Sequence, residues 1–383
     1  MKAPIKINNF DLIRLLAACQ VVAHHAIDHL DLDRSALPVA LLAQLIRYFP
    51  GVPVFFFVSG FLISKSYESS ASVFDYARNR VLRIYPALIV CTLLAVGAVF
   101  ALDYLPRADA PLHGVLTWMV AQMTIVQFYN PGFMRDFGVG VLNGSLWTIT
   151  VELQFYVVTP MVYALCGLRH RRGTLMLMLL TLALLVPNLA YWHADPEHHP
   201  ATTLKLFGVT FLPWYYMFLL GVLAQRHFHL LHGWLSGRAI PLGVAYVLAT
   251  MLATHQLGWN ASNDIHPVLY VLLAAFVFSL AYTAPTWADR LLRRQDISYG
   301  IYIYHMPCIN VLLYLGLKGQ TMALAFTFAA AVLIAMLSWI AIERPCLQMK
   351  RGGLEHSPLP GARPVTPDTP DTPTTLPVSE ETR

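Results

Sequence analysis

Apolar residues in this chain come in unbroken runs about as long as a bilayer is thick. Ten such runs fall near 12–30, 48–64, 84–103, 145–166, 174–192, 206–225, 239–257, 267–283, 298–317 and 321–342. Each approaches the roughly 20 residues a helix needs to cross about 30 Å of hydrocarbon. Alternating strands of about ten residues are missing, so a closed barrel is excluded and helices are left to satisfy the backbone in lipid. The pattern predicts an all-α integral membrane protein with about ten transmembrane helices. An eleventh apolar stretch, 115–129, is shorter and needs a second criterion.

Positive charge supplies it, because cytoplasmic loops carry an excess of Lys and Arg. If 115–129 does not cross, both termini are cytoplasmic and only Arg34, Arg47, Arg107, Arg135, Lys205 and Lys318 lie outside, 6 of 26 basic residues. If it crosses, every later loop changes side, and the groups Arg169, Arg171, Arg172 and Arg290, Arg293, Arg294 face outward. The stretch is therefore expected to be re-entrant or interfacial.

Composition agrees with a bilayer: 57% of the 383 residues are hydrophobic and 12% charged, where soluble domains carry roughly 25% charge. The net charge of +5 sits in short clusters between apolar runs, which marks topology and not a nucleic-acid face. Cys19, Cys91, Cys166, Cys308 and Cys346 show no metal or redox spacing. The first run contains Arg14, Gln20, His24 and His25, unlike the uninterrupted core of a cleaved signal peptide. Residues 1–350 thus read as one membrane domain without an internal repeat. Residues 351–383, ending PVTPDTPDTPTTLPVSEETR, read as a disordered cytoplasmic tail.

Ionisable residues inside spans are costly and mark sites or pathways unless they snorkel. Arg14 is near one end of the first run, where snorkelling could account for it; His25, eleven residues on, is too deep for that. The two fall within about 20° of one helix face, roughly 16 Å apart along the axis. His25 and His29 have a metal-ligand spacing without further ligands at matching depth, so no metal is expected. Ser59 and Gly60 interrupt an aromatic run, which fits either close helix packing or a pocket wall. Arg80 and Arg83 stand one turn apart just before Ile84, Tyr85 and Pro86. They are a positive-inside signal and also a pair able to hold a phosphate. Glu152 lies about 10 Å below the outer end of its run and His25 about 8 Å below that of its own, so depth matching pairs them. A carboxylate there would orient the imidazole, or the two would form a purely structural pair. Tyr299, Tyr302 and His305 share a face and either line a passage or pack, and Pro307 frees carbonyls that a neighbour must satisfy.

In order, DLIRLLAACQVVAHH, FFFVSGFLI, the Arg-x-x-Arg before IYP, SLWTITVELQFY, SYGIYIYHMP and the closing ERP resemble the bacterial membrane-bound acyltransferase 3 family over residues 8–346. That family includes sugar O-acetyltransferases acting on lipopolysaccharide, exopolysaccharide and Nod factors. Many members read Glu-Glu-Gln where this chain has Glu152, Leu153 and Gln154, so only the first acid carries over. The C-terminal esterase-like domain of some members is not expected here. The resemblance implies a multi-pass protein of the bacterial cytoplasmic membrane and no permanently bound cofactor. It also implies acetyl-CoA or another acyl-CoA as donor and a carbohydrate acceptor at the outer leaflet. It casts His25 and Glu152 as catalytic and Arg14, Arg80 and Arg83 as donor-binding, with Ser59, Trp147, Tyr299 and His305 as candidate pocket lining. A secondary transporter is the alternative from another class, since buried ionisable groups and a broken helix also suit a substrate path.

Overall fold

The computed structural model describes residues 8–168, 172–195, 201–292 and 295–352, and among them every regular element is helical. The tail 353–383 and the arginines 169, 171, 293 and 294 used in the charge tally lie outside the described residues. The main helices are α1 (Phe10–His29), α2 (Leu37–Arg47), α3 (Gly51–Ser69), α4 (Val73–Ala101), α5 (Leu112–Gln122), α6 (Trp147–Leu165) and α7 (Arg172–Ala183). They continue with α8 (Leu185–His193), α9 (Tyr215–Arg226), α10 (Ala239–Gln256), α11 (Pro267–Tyr282), α12 (Ser298–Tyr314) and α13 (Met322–Ser338).

Seven helical stretches among the described residues are long and apolar enough to cross a membrane, and each coincides with one of the ten runs read from the sequence. The other three runs form shorter helices. Run 206–225 is broken between Thr202–Gly208 and α9, while α11 and α12 have 16 and 17 residues. Two of these are helices of the interior: Tyr215–Leu219 of α9 and Ser298–Pro307 of α12 are continuously buried, so their apolar character serves helix packing as much as lipid contact. The ambiguous stretch becomes α5, 11 residues long, or roughly 16 Å at 1.5 Å per residue and too short to span.

Two features of this packing position the site. Where α3 crosses α9, a Cβ on Gly60 would lie 1.9 Å from the Phe218 carbonyl oxygen and one on Gly221 would lie 2.1 Å from that of Phe57. Only glycine permits that approach, so Gly60 takes the packing role, and Ser59 beside it turns to another face. The second feature is the segment before α6, which does not start at a surface. Leu142, Asn143 and Ser145 are buried against α12, with Asn143 Nδ2 donating to the Ile303 carbonyl at 2.8 Å. That carbonyl is the one Pro307 leaves without its helical partner. Asn310 holds the same segment by donating to the carbonyls of Val141 and Leu142 at 3.0 and 2.9 Å. The N-terminus of α6 is thereby drawn into the bundle.

Candidate active site

Between α1, α3, α4, α6 and α12 lies a cavity of about 250 Å³. At one end stand Arg14 from α1 and Arg80 and Arg83 from α4. Ser72 caps the start of α4 by accepting from the Asp75 N–H at 3.0 Å, and the Arg-x-x-Arg spacing then sets both guanidiniums on one side of the helix. Ser59, Glu152 and Tyr156 also line it, as do Phe55, Thr148 and Tyr302. Thr148 Oγ1 and the Tyr302 hydroxyl are 2.6 Å apart, and the Phe55 and Tyr302 rings meet edge to face at 5.5 Å.

The three arginines are held differently. Asp296, just before α12, pairs with Arg14 at 2.8 Å and also with Arg83. Its other oxygen accepts from the Ser298 N–H at 3.3 Å and the Ser298 hydroxyl at 2.5 Å. Burial alone would raise the Asp296 pKa, but the Arg14 and Arg83 guanidiniums overcome that and hold the carboxyl well below the usual carboxylate range. Arg80 has no carboxylate within ion-pairing distance among the described residues. It donates to the Ser66 hydroxyl at 3.1 Å, its guanidinium lies 5.7 Å from the Tyr156 ring centroid, and its Nε is buried without a partner. Arg80 is therefore the guanidinium most open to an incoming anion.

The hydrogen bonds depart from depth matching. Glu152 accepts from the Ser59 hydroxyl at 2.9 Å and the Tyr156 hydroxyl at 2.7 Å. His25 is partnered instead by His305, with 2.9 Å between His25 Nδ1 and His305 Nε2. The segment before α6 is itself buried, so depth counted from the end of that run does not start at a surface. Two candidate lining residues also sit elsewhere. His305 is fully buried behind Tyr302, whose ring centroid is 5.9 Å away. Trp147 packs on Trp214 at 5.0 Å outside the cavity. Ser59 and Tyr299 do line it, and the Tyr299 hydroxyl donates to the Ile84 carbonyl at 3.0 Å. His24 and Asp28 approach to 3.4 Å on the neighbouring face of α1. Among the described residues no group of three or more His, Cys, Asp or Glu could hold a metal ion.

Sequence reasoning missed Asp296. A signal was present, since it is a lone acid in the basic run RRQDIS at a helix start. The His25–His305 pair was missed for lack of a rule bringing two distant runs to one depth.

This arrangement lines one cavity with three guanidiniums and with Tyr302, whose other neighbour is the buried His305 paired with His25. The acyltransferase domain family matches residues 7–343. The chain belongs to that family. It is a multi-pass membrane acyltransferase. Nodulation protein 10 of Rhizobium leguminosarum bv. viciae is 33% identical over 90% of this chain and 94% of its own length. The O-acetyl transferase of Shigella phage Sf6 is 24% identical over 88% and 96%. Peptidoglycan O-acetyltransferase OatA of Listeria monocytogenes serovar 1/2a is 23% identical over 82% of this chain and 54% of its own. No solved structure matches this one.

Proposed function

We propose that the protein moves a short acyl group, acetyl in the first instance, from cytoplasmic acyl-CoA to a hydroxyl of a surface or lipid-linked carbohydrate at the bacterial cytoplasmic membrane. The observation carrying this reading is the cavity itself, lined by three guanidiniums and by Tyr302, which packs on His305, the partner of His25. A coenzyme A thioester has this polarity: an anionic nucleotide head, a slender arm and a reactive carbonyl at the tip. Arg80 engages the head, since charge-assisted bonds to phosphate are strong and directional. Arg83 and Arg14, braced by Asp296, shape the entrance. On the topology expected from the charge count, with both termini cytoplasmic, the three arginines face the side where acyl-CoA is made.

His25 is the reacting group. It either takes the proton of the acceptor hydroxyl or carries the acyl group as an acyl-imidazole before transfer. Glu152, on the wall with Ser59 and Tyr156, lies along the path of the donor arm. Its task is to keep that wall polar and ordered, not to hold the imidazole. Two relatives named as O-acetyltransferases, one of them for peptidoglycan, support the acetyl group and a glycan acceptor.

The test is thiol release from acetyl-CoA by purified protein with and without a host surface glycan, together with mass spectrometry of that glycan from cells with and without the gene. Acceptor-dependent thiol release and a matching acyl mass difference are expected. No thiol release, or an unchanged glycan mass, would overturn the assignment. A burst of thiol before acceptor is added separates the acyl-imidazole route from direct transfer.

A further inference from the structure

We propose that His305 is a positioning residue which, through a chain of hydrogen bonds starting at the Tyr302 carbonyl, fixes the tautomer of His25 so that Nε2 presents its lone pair to the reacting groups. The proposal rests on the acyl-transfer reading above for its purpose, but its geometry stands separately.

The chain has three members. A carbonyl oxygen only accepts, and that of Tyr302 is 2.6 Å from His305 Nδ1, so Nδ1 carries the proton. A neutral imidazole has one N–H, which leaves His305 Nε2 as a lone pair. That nitrogen is 2.9 Å from His25 Nδ1, so the proton between them belongs to His25 Nδ1. The remaining nitrogen of His25, Nε2, is then the acceptor. Each step follows from the one before, and the first is anchored to the backbone of α12.

The surroundings hold this order in place. His305 is 0% exposed, so no water competes for its nitrogens. Its ring lies at 25° to that of His25 with centroids 5.1 Å apart, a fixed near-parallel arrangement. Glu152 is occupied by Ser59 and Tyr156, so an imidazole does here what a carboxylate does in many hydrolytic triads. A neutral orienting group suits a low-dielectric interior, because it adds no permanent charge to the resting site.

The balance of the reaction follows. The acceptor hydroxyl gives its proton to His25 Nε2 as its oxygen bonds to the thioester carbon, and the Nδ1 proton of His25 passes to His305 Nε2. His305 then holds the positive charge, donating to the Tyr302 carbonyl and to His25. When the C–S bond breaks, the proton on Nε2 goes to the thiolate and the shared proton returns to His25 Nδ1. The products are ester and free thiol, with both rings neutral. The same lone pair and proton acceptor serve if His25 carries the acyl group itself.

The experiment is nitrogen-15 NMR of histidine-labelled full-length protein in nanodiscs, with the His25 signals assigned by their loss in His25→Gln. It is paired with steady-state kinetics of wild type, His305→Phe and His305→Gln. Wild type is expected to show a proton on Nδ1 of His25 and none on Nε2. His305→Phe should lose that preference and lower kcat by roughly 10²–10⁴-fold, the range seen when a catalytic imidazole loses its orienting partner, with KM for acetyl-CoA unchanged. His305→Gln, whose amide oxygen can still accept from His25 Nδ1, should recover part of kcat. A proton on His25 Nε2 in wild type, or wild-type kcat in His305→Phe, would overturn the proposal. Should His305→Phe fail to fold, the wild-type spectrum and His305→Gln decide. If wild type releases no thiol, the functional reading fails while the spectrum still decides the tautomer.

Discussion

Replacing Asp296 with asparagine tests whether the basic mouth is held open by an internal counter-ion. The amide side chain would keep an oxygen for both Ser298 bonds and lose only the charge shared by Arg14 and Arg83. At the 2.8 Å separation from Arg14, an effective dielectric near 20 gives one pair a gross attraction of roughly 6 kcal/mol. Desolvation of the partners offsets much of this, and breaking a buried pair by removing one member costs about 3–5 kcal/mol. The side chains are 11–19% exposed, so solvent screening is small. For a chain of this size each kcal/mol moves a thermal midpoint by roughly 2 °C, so a fall of about 6–10 °C is expected in detergent. Sulfate should raise the midpoint of the variant more than that of wild type, because without Asp296 Arg83 has no paired acid among the described residues and Arg14 keeps only Asp11 at 3.7 Å. The sign with pH is also fixed. A carboxyl held below its unfolded value contributes stability above that unfolded value, about 3.9, and loses it only as pH falls through the folded one. Asp296 is in that class, so the gap between the two proteins should stay constant from about pH 5 to pH 8. An unchanged midpoint in Asp296→Asn, or equal rescue of both proteins by sulfate, would refute the counter-ion argument.

Three further outcomes are expected. His25→Ala should insert normally and abolish acylation of the surface glycan, read by mass spectrometry, and an active variant would remove His25 from the chemistry. Arg80→Ala should weaken acyl-CoA binding by roughly 10–100-fold in calorimetry, the loss of one charge-assisted bond of about 1.5–3 kcal/mol, with unchanged expression. Gly221→Ala should destabilise the protein by at least about 1–3 kcal/mol, because its Cβ would meet the Phe57 carbonyl at 2.1 Å, whereas Gly97→Ala, with no atom within 4 Å, should leave the midpoint alone.

Much of the fold was legible because lipid imposes a length. A run such as 84–103, which lies within the 29-residue helix Val73–Ala101 whose most apolar 18-residue window has a mean hydropathy of 2.3, has few alternatives. What the pattern could not separate is a helix that faces lipid from one surrounded by other helices, since both are apolar all round. Helices α9 and α12 belong to the second kind, and their lengths escaped the reading for that reason. Ser59 and Gly60 are neighbours with different surroundings. The glycine serves the α3–α9 crossing, and Ser59 faces the cavity and reaches Glu152.

The site was legible as a set of residues and illegible as a set of partners. Arg14, Arg80, Arg83, Ser59, Glu152 and Tyr299 converge on one cavity, because a charge or polar group retained inside a span needs company and the interior offers few places for it. Partnership depends on relative depth, and depth counted from the end of an apolar run assumes that the run ends at a surface. For α1 that assumption is sound. For α6 it fails, because Leu142–Ser145 are tied beneath the Pro307 break of α12 by Asn143 and Asn310. Two residues before that break, His305 Nδ1 meets the Tyr302 carbonyl on the same helix. A proline inside a membrane helix leaves unmet backbone acceptors, and whatever satisfies them is fixed in register with it. In this chain that acceptor is the Ile303 carbonyl, and Asn143 at the start of α6 satisfies it, whereas His305 meets the Tyr302 carbonyl one residue earlier, so a sequence rule that begins from Pro307 leads to the buried start of α6.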